Sequence, residues 1–166
     1  MSNHWKQYGV PHKGWTLENV IDVREYGQSE EDTCYESCMM CGNERIRYVH
    51  IVTHDEVAEE YRVGCICAEK MTNDYVNPIR IENELRNRAN RRKNWQNREW
   101  KISKNGNRYI NFEEHLLLIY KDKSSGKYKV KIGDRFGAKT FDTLSQAKNA
   151  VFDGITYLKE KDQWLK

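Results

Sequence analysis

The sequence predicts an α+β protein: a cysteine-rich module, a basic helix, and a small three-stranded antiparallel sheet covered by one helix. Three observations predict it. Four of the five cysteines and two of the five histidines crowd into the stretch from Cys38 to Met71. The run 80–101 places apolar residues at helical spacing among arginines. Beyond it, short strand-like runs separated by glycine-containing turns lead into a second helix-spaced segment.

The chain has 166 residues, 38% of them hydrophobic and 32% charged, with a mean hydropathy of -0.95. A chain this polar buries a modest core. Two small lobes, one of them stapled by something other than apolar area, suit it better than one large sandwich. The start, MSNHWKQYGVPHKGW, has no apolar h-region. The longest strongly apolar run, LLLIY, is far short of the ~20 residues a membrane helix needs. A reducing cytoplasmic setting is therefore expected. There, and with an odd number of cysteines, disulfides are disfavoured.

The elements follow in order. Residues 1–33 read as an N-terminal arm, with Trp5, Tyr8 and Trp15 ahead of a short apolar run at Val20, Ile21 and Val23. Residues 34–79 form the cysteine/histidine module. In it RIRYVHIVTH is strand-like, placing Ile46, Tyr48, His50, Val52 and His54 on one face, and VAEEYRV is its return strand. Residues 80–102 form the basic helix, with Ile81, Leu85, Ala89, Trp95 and Trp100 as its apolar stripe and SKNGN as its breaker. Residues 103–166 form a sheet-plus-helix domain. RYIN, HLLLIY and KYKVKI are its three strands, and DRFGAKTF adds a turn and a short strand. The segment Thr143-Leu144-Ser145-Gln146 has the form of a capping box. The helix after it carries Leu144, Ala147, Val151, Ile155 and Leu158 at helical spacing.

Cys38-x2-Cys41-Gly42 puts two thiolates on one tight turn, with a glycine that lets backbone N–H groups curl toward sulfur. A second cluster, Val63-Gly64-Cys65-Ile66-Cys67, follows at a distance that suits a hairpin. Six side chains compete to be ligands: Cys38, Cys41, His50, His54, Cys65 and Cys67. Tetrahedral Zn²⁺ takes four N or S donors. Cys38, Cys41 and Cys67 are the firmest, His54 is preferred as the fourth, and Cys65 is the second choice. Cys34, in an acidic stretch, lies outside the pattern. The order of cysteine knuckle, hairpin, and ligand at a helix N-terminus resembles a treble-clef zinc finger. The pattern C-x2-C-G, a strand ending in histidine, then V-G-x-x-C resembles a class of uncharacterised bacterial and phage zinc-binding proteins. That resemblance implies Zn²⁺, a site including residues like His54 and Cys67, and a phage or mobile-element setting. A nuclease of the His-Asn-His treble-clef class is the sharper enzyme reading. It would need a further histidine on the helix after the hairpin, and none occurs between His54 and His115. The deaminase pattern H-x-E…P-C-x2-C is also absent. A non-catalytic protein is expected.

Charge is unevenly distributed. Residues 18–36 carry seven acids against Arg24, and 80–101 carry eight bases against three acids. An acidic head and a basic middle predict a surface for a polyanion. Arg86, Arg88, Arg91, Arg92 and Arg98 on the helix are candidate nucleic-acid contacts. So are Lys127, Lys129 and Lys131, which alternate with Tyr128, Val130 and Ile132. A strand followed by Phe141-Asp142-Thr143 and Ala147 resembles the three-stranded DNA-binding domain of the AP2 and integrase arm-binding type. That resemblance implies DNA, more than RNA, as the partner. The competing class is a phage or mobile-element module that binds and inhibits a host protein or immune complex through the acidic head.

Overall fold

A computed structural model of the chain describes residues 3–164. It is α+β, with three α-helices and two antiparallel sheets among the described residues. The chain forms two compact units, Met1–Ala89 and Asn90–Lys166.

In the first unit, β1 (Thr16–Asp22), β2 (Tyr48–His54) and β3 (Val57–Val63) form a sheet in the order β1-β2-β3. The segment expected as an arm thus supplies an edge strand. The central strand β2 is buried on both faces at Tyr48, Val49 and His50, so it does not show the one-sided alternation the sequence suggested. Helix α1 (Cys65–Thr72) follows β3 directly and buries Cys67, Ala68 and Met71. Asn73 ends it in the left-handed conformation, with φ 52°. The core gathers Trp15, Met40, Ile46, Val49, Val52, Tyr61 and Val63 around Cys38 and Cys67.

Helix α2 runs from Asn77 to Gln96, not from 80 to 101. It starts earlier because the Asp74 carboxylate accepts the backbone N–H groups of Val76 and Asn77, and Pro78 is tolerated in a first turn. Its end tightens into bonds from Asn97 N to Asn94 O and from Arg98 N to Trp95 O. Gly106, expected to break this helix, instead closes the next hairpin at φ 78°. Its N–H donates to Ser103 O at 2.9 Å, while Ser103 N donates to Asn107 O at 2.8 Å.

The second sheet has five strands rather than three: β4 (Lys101–Ile102), β5 (Arg108–Phe112), β6 (His115–Lys121), β7 (Tyr128–Ile132) and β8 (Arg135–Phe136), in chain order. The strand β8 lies within DRFGAKTF, read from the sequence as a turn and a short strand, whereas the two-residue β4 was too short to show a period. Helix α3 (Leu144–Glu160) is capped as the sequence suggested. Thr143 Oγ1 accepts the Gln146 N–H, and Gln146 Oε1 accepts the Thr143 N–H. Its Ala147, Val151, Phe152, Ile155 and Leu158 pack with Leu117, Ile119 and Val130 of the sheet. Trp95 completes this core. Its ring meets Trp100 edge-on at 5.9 Å and Phe112 at 5.3 Å, and its indole N–H donates to Lys148 O at 2.9 Å. Trp100 is buried as expected, but outside the helix.

No helix among the described residues is long and apolar enough to cross a membrane. Because Trp95 fills the junction of a helix end, a sheet face and α3, Trp95→Ala is expected to destabilise the second unit by about 3–5 kcal/mol. Denaturant unfolding followed by tryptophan fluorescence measures it.

Candidate metal centre

Residues 36–46 form a small hairpin, closed by reciprocal backbone bonds between Glu36 and Ile46 at 3.0 and 3.1 Å. At its tip, Cys38 N donates to Asn43 O at 2.7 Å and Gly42 N to Cys38 O at 2.8 Å. Gly42 takes φ 80°, where a side chain would be strained. This turn is tied down from two sides: Met39 N donates to Arg62 O of β3, and His4 N donates to Met40 O. The Arg62 guanidinium also grips Glu36 with two bonds, at 2.7 and 2.8 Å.

The turn meets the start of α1. The sulfurs of Cys38, Cys41 and Cys67 all lie within 4.8 Å of one another. The Cys67 thiol hydrogen-bonds to Cys38 and, together with the backbone N–H groups of Cys41, Gly64 and Met40, holds Cys38 well below the usual thiol range. The same contact with Cys38, then burial, pushes Cys67 up, while the Trp5 indole N–H pulls it the other way. One negative charge among three sulfurs is thus stabilised by oriented amides, and further ionisation is opposed by mutual repulsion. A cation among them removes that opposition, so the trio can hold a metal ion. Trp5, delivered by a short 3-10 turn at His4–Lys6, had no signal in the sequence as part of this site.

His54, the expected fourth ligand, is elsewhere. Val63 pairs with His50, whereas His54 pairs with Val57 at the hairpin turn. The chain leaving β3 toward Cys67 is therefore beside His50, and His54 lies four residues along β2, about 13 Å away. Both His54 nitrogens are also engaged. Nδ1 accepts the Glu56 N–H at 3.1 Å, which leaves Nε2–H to donate to Lys13 O at 3.1 Å, and the ring packs on Trp15. No lone pair is left for a metal. Among the described residues no further His, Cys, Asp or Glu joins the trio.

Cys65 also leaves the trio. It groups with His50 and Glu82, whose ligand atoms lie within 4.8 Å of one another, a second cluster able to hold a metal. Burial, then the Glu82 and Glu69 carboxylates, push the Cys65 thiol up to about 12, the opposite of an activated nucleophile. Cys34 is exposed and joins neither group.

The expected nucleic-acid contacts are only partly available. Arg86 bonds Glu82 at 2.7 Å and lies over Tyr48. Arg92 bonds Asp153 and lies over Phe152. Arg98 lies over Trp95 and Phe112. Lys127 precedes β7 and pairs with Asp142 at 3.1 Å, so it does not share a strand face with Lys129 and Lys131. Among the described residues, Arg88 and Arg91 are the helix arginines without such partners. The acidic head is engaged in part. Asp22 takes Arg47 in two bonds, Glu36 takes Arg62, and Glu18 accepts the Thr53 hydroxyl.

No protein-family model matches the chain, and no curated protein or solved structure matches it.

Two outcomes are expected. Cys38→Ser and Cys67→Ser should each lose the metal of the trio, while His54→Ala and Cys34→Ser keep it, read by elemental analysis of protein purified under reducing conditions. Separately, Arg62 holds the Glu36 carboxyl below the usual range. Its contribution is present above the ordinary carboxyl range, near pH 4.3, and is lost as pH falls through the lower folded value. Glu36→Gln should therefore cost about 1 kcal/mol at pH 7 and flatten the acid limb of the stability profile, measured by urea unfolding from pH 7 to 3.

Proposed function

We propose that this chain is a non-catalytic, zinc-stabilised protein that binds nucleic acid, DNA in the first instance, through the open face of its second sheet. The module in the first unit is read as a treble-clef-like finger: cysteine turn, hairpin, then a helix that begins at the last ligand. Three thiolates outweigh the two charges of Zn²⁺. An ion so neutralised acidifies a bound water weakly, which favours a structural role over hydrolysis. In small modules such an ion contributes folding free energy of ~10 kcal/mol or more.

The observation that carries the nucleic-acid reading is the composition of one sheet face. Cross-strand pairing runs Lys101↔Tyr109, Tyr109↔Leu118, Leu118↔Lys131 and Lys131↔Phe136, one row across all five strands. Tyr120↔Lys129 and Asn111↔Leu116 lie in the flanking rows. Residues paired in register share a face, and α3 covers the other one, at Leu117, Ile119 and Val130. The open face thus carries Tyr109, Tyr120 and Phe136 with Lys101, Lys129 and Lys131, and Asn111, Leu116 and Leu118 between them; none of its strand positions carries an acid, and Asp122, just past β6, pairs with Lys129 at 3.6 Å. Phe136 is 68% exposed, and the Lys131 ammonium sits 4.7 Å from its ring centroid. Aromatic rings that stack on bases, with lysines between them for phosphates, are what single strands require. This differs from the duplex-groove use that the AP2 resemblance implies, where strands carry more arginine.

The test is fluorescence anisotropy of the zinc-loaded protein with a single-stranded and a double-stranded DNA of the same sequence, over a salt series. Binding with a steep salt dependence is expected. Lys101→Ala/Lys129→Ala/Lys131→Ala should flatten the slope by roughly one unit per lost phosphate contact. Phe136→Ala should weaken single-strand binding by about 1–3 kcal/mol without loss of stability, because the ring is exposed. Absence of binding at low salt, or a triple variant that matches the wild type at every salt concentration, overturns the reading and favours a protein partner.

A further inference from the structure

His50 is fully buried on β2, yet its imidazole is short of partners. Nε2 lies 3.2 Å from Pro78 O, and Nδ1 has no hydrogen-bond partner among the described residues. A buried polar atom left unpaired costs about 1–3 kcal/mol, and native proteins rarely keep one without a reason. Two further unusual neighbours surround this ring. Glu82 on α2 is a carboxylate only 8% exposed, with Oε2 3.8 Å from His50 Nε2. Cys65, in the first turn of α1, has its sulfur 4.0 Å from Glu69 Oε1. One atom from each of His50, Cys65 and Glu82 lies within 4.8 Å of the others. A tetrahedral ion bonded at 2.0–2.3 Å brings its ligand atoms about 3.3–3.8 Å apart, so small side-chain adjustments close the set.

The local chain geometry explains why Cys65 serves here and not with Cys67. Successive helix residues turn by about 100°, so positions i and i+2 point to nearly opposite sides. Cys67 points to the Cys38–Cys41 turn, and Cys65 points across β2 to His50 and α2. The surroundings also have the character of a ligand support. Arg86 holds Glu82 Oε1 at 2.7 Å, leaving Oε2 toward His50. Pro78 O can fix the imidazole tautomer by accepting the Nε2–H, which leaves the Nδ1 lone pair for an ion. Partners of this kind orient metal ligands.

The geometry points to a second metal site formed by Cys65, His50 and Glu82, separate from the three-cysteine site. Its sulfur, nitrogen and oxygen donors suit a borderline divalent ion such as Zn²⁺ or Co²⁺, and not Mg²⁺ or Ca²⁺, which take oxygen alone. Three protein ligands leave a fourth position open. Cys65 is partly exposed, so that position is near solvent and the ion is the more exchangeable of the two. The site stands independently of the nucleic-acid reading.

The test uses the full chain, stripped of metal under reducing conditions and titrated with Co²⁺ and then Zn²⁺ against a chromophoric chelator, with folding checked by circular dichroism. The wild type is expected to bind two equivalents in two steps, the tighter with the thiolate-to-cobalt absorption of three sulfurs and the weaker with that of one. Cys65→Ser and Glu82→Gln, both close in shape to the native side chains, should each keep the tight equivalent and lose the weak one, or bind it at least tenfold more weakly. A wild type that saturates at one equivalent overturns the second site alone. So does a variant of either kind that keeps both equivalents with unchanged affinity, or loss of both equivalents in Cys65→Ser, which would mean one shared site. A wild type that binds none overturns this site together with the zinc reading of the three cysteines.

Discussion

Three sulfurs held within 4.8 Å of one another cannot all carry charge without a cation, and the rest of the first unit is arranged around that constraint. The Cys38–Cys41 turn is fixed at its base by the Glu36–Ile46 pairing and against β3 by Met39. Cys67 arrives from the opposite side, at the start of α1. Trp5 reaches the same sulfurs from the N-terminal segment. What these segments share is a bond, direct or one residue removed, to the sulfur cluster. A core of limited size is then completed around the cluster by Met40, Ile46, Val63 and Met71. This is how a small polar unit can hold one conformation where apolar burial alone is marginal.

The charges follow a similar economy. Arginine forks close on carboxylates in pairs of bonds at Asp22–Arg47 and Glu36–Arg62, and other arginines lie on aromatic rings. These contacts pin the acidic segment to the hairpin and organise α2, and they leave few bases uncommitted. A count of charges along the chain therefore overstates how much positive surface is available. Paired, partly buried arginines are poor phosphate contacts, because binding would first have to break their existing bonds. The lysines of the second sheet are committed more loosely. Lys127 and Lys129 each make a single contact, with Asp142 at 3.1 Å and Asp122 at 3.6 Å, and Lys131 lies over Phe136.

The second unit shows how one strand pattern can serve two purposes. Along β6 and β7, Leu117, Ile119 and Val130 alternate with Leu118, Tyr120, Lys129 and Lys131. The first set makes the core with α3 and Trp95. The second set makes the open face. A shift of register by one residue would exchange them, so the packing that stabilises the unit also determines which rings and ammonium groups are displayed.

The sequence by itself determined the features that depend on near neighbours. The Cys38-x2-Cys41-Gly42 turn, the β2–β3 hairpin, the Thr143–Gln146 capping box and the apolar spacing of α3 are local, because each is set by residues a few positions apart. The opposed directions of Cys65 and Cys67 were also legible, since positions two apart on a helix point to nearly opposite sides. His54, preferred from the sequence as the fourth ligand, was excluded by the register of that hairpin, which pairs it with Val57 at the turn and puts His50 opposite Val63, at the end that leads to Cys67. What only the tertiary structure decided is which distant groups meet. Glu82 reaches His50 because α2 lies against β2. Trp5 reaches Cys67 because the N-terminal segment is bonded to Met40. Arg92 finds Asp153 on another helix. Periodicity tells which side of an element is apolar, but the choice of partner depends on how elements pack, and that is a property of the whole chain in each unit.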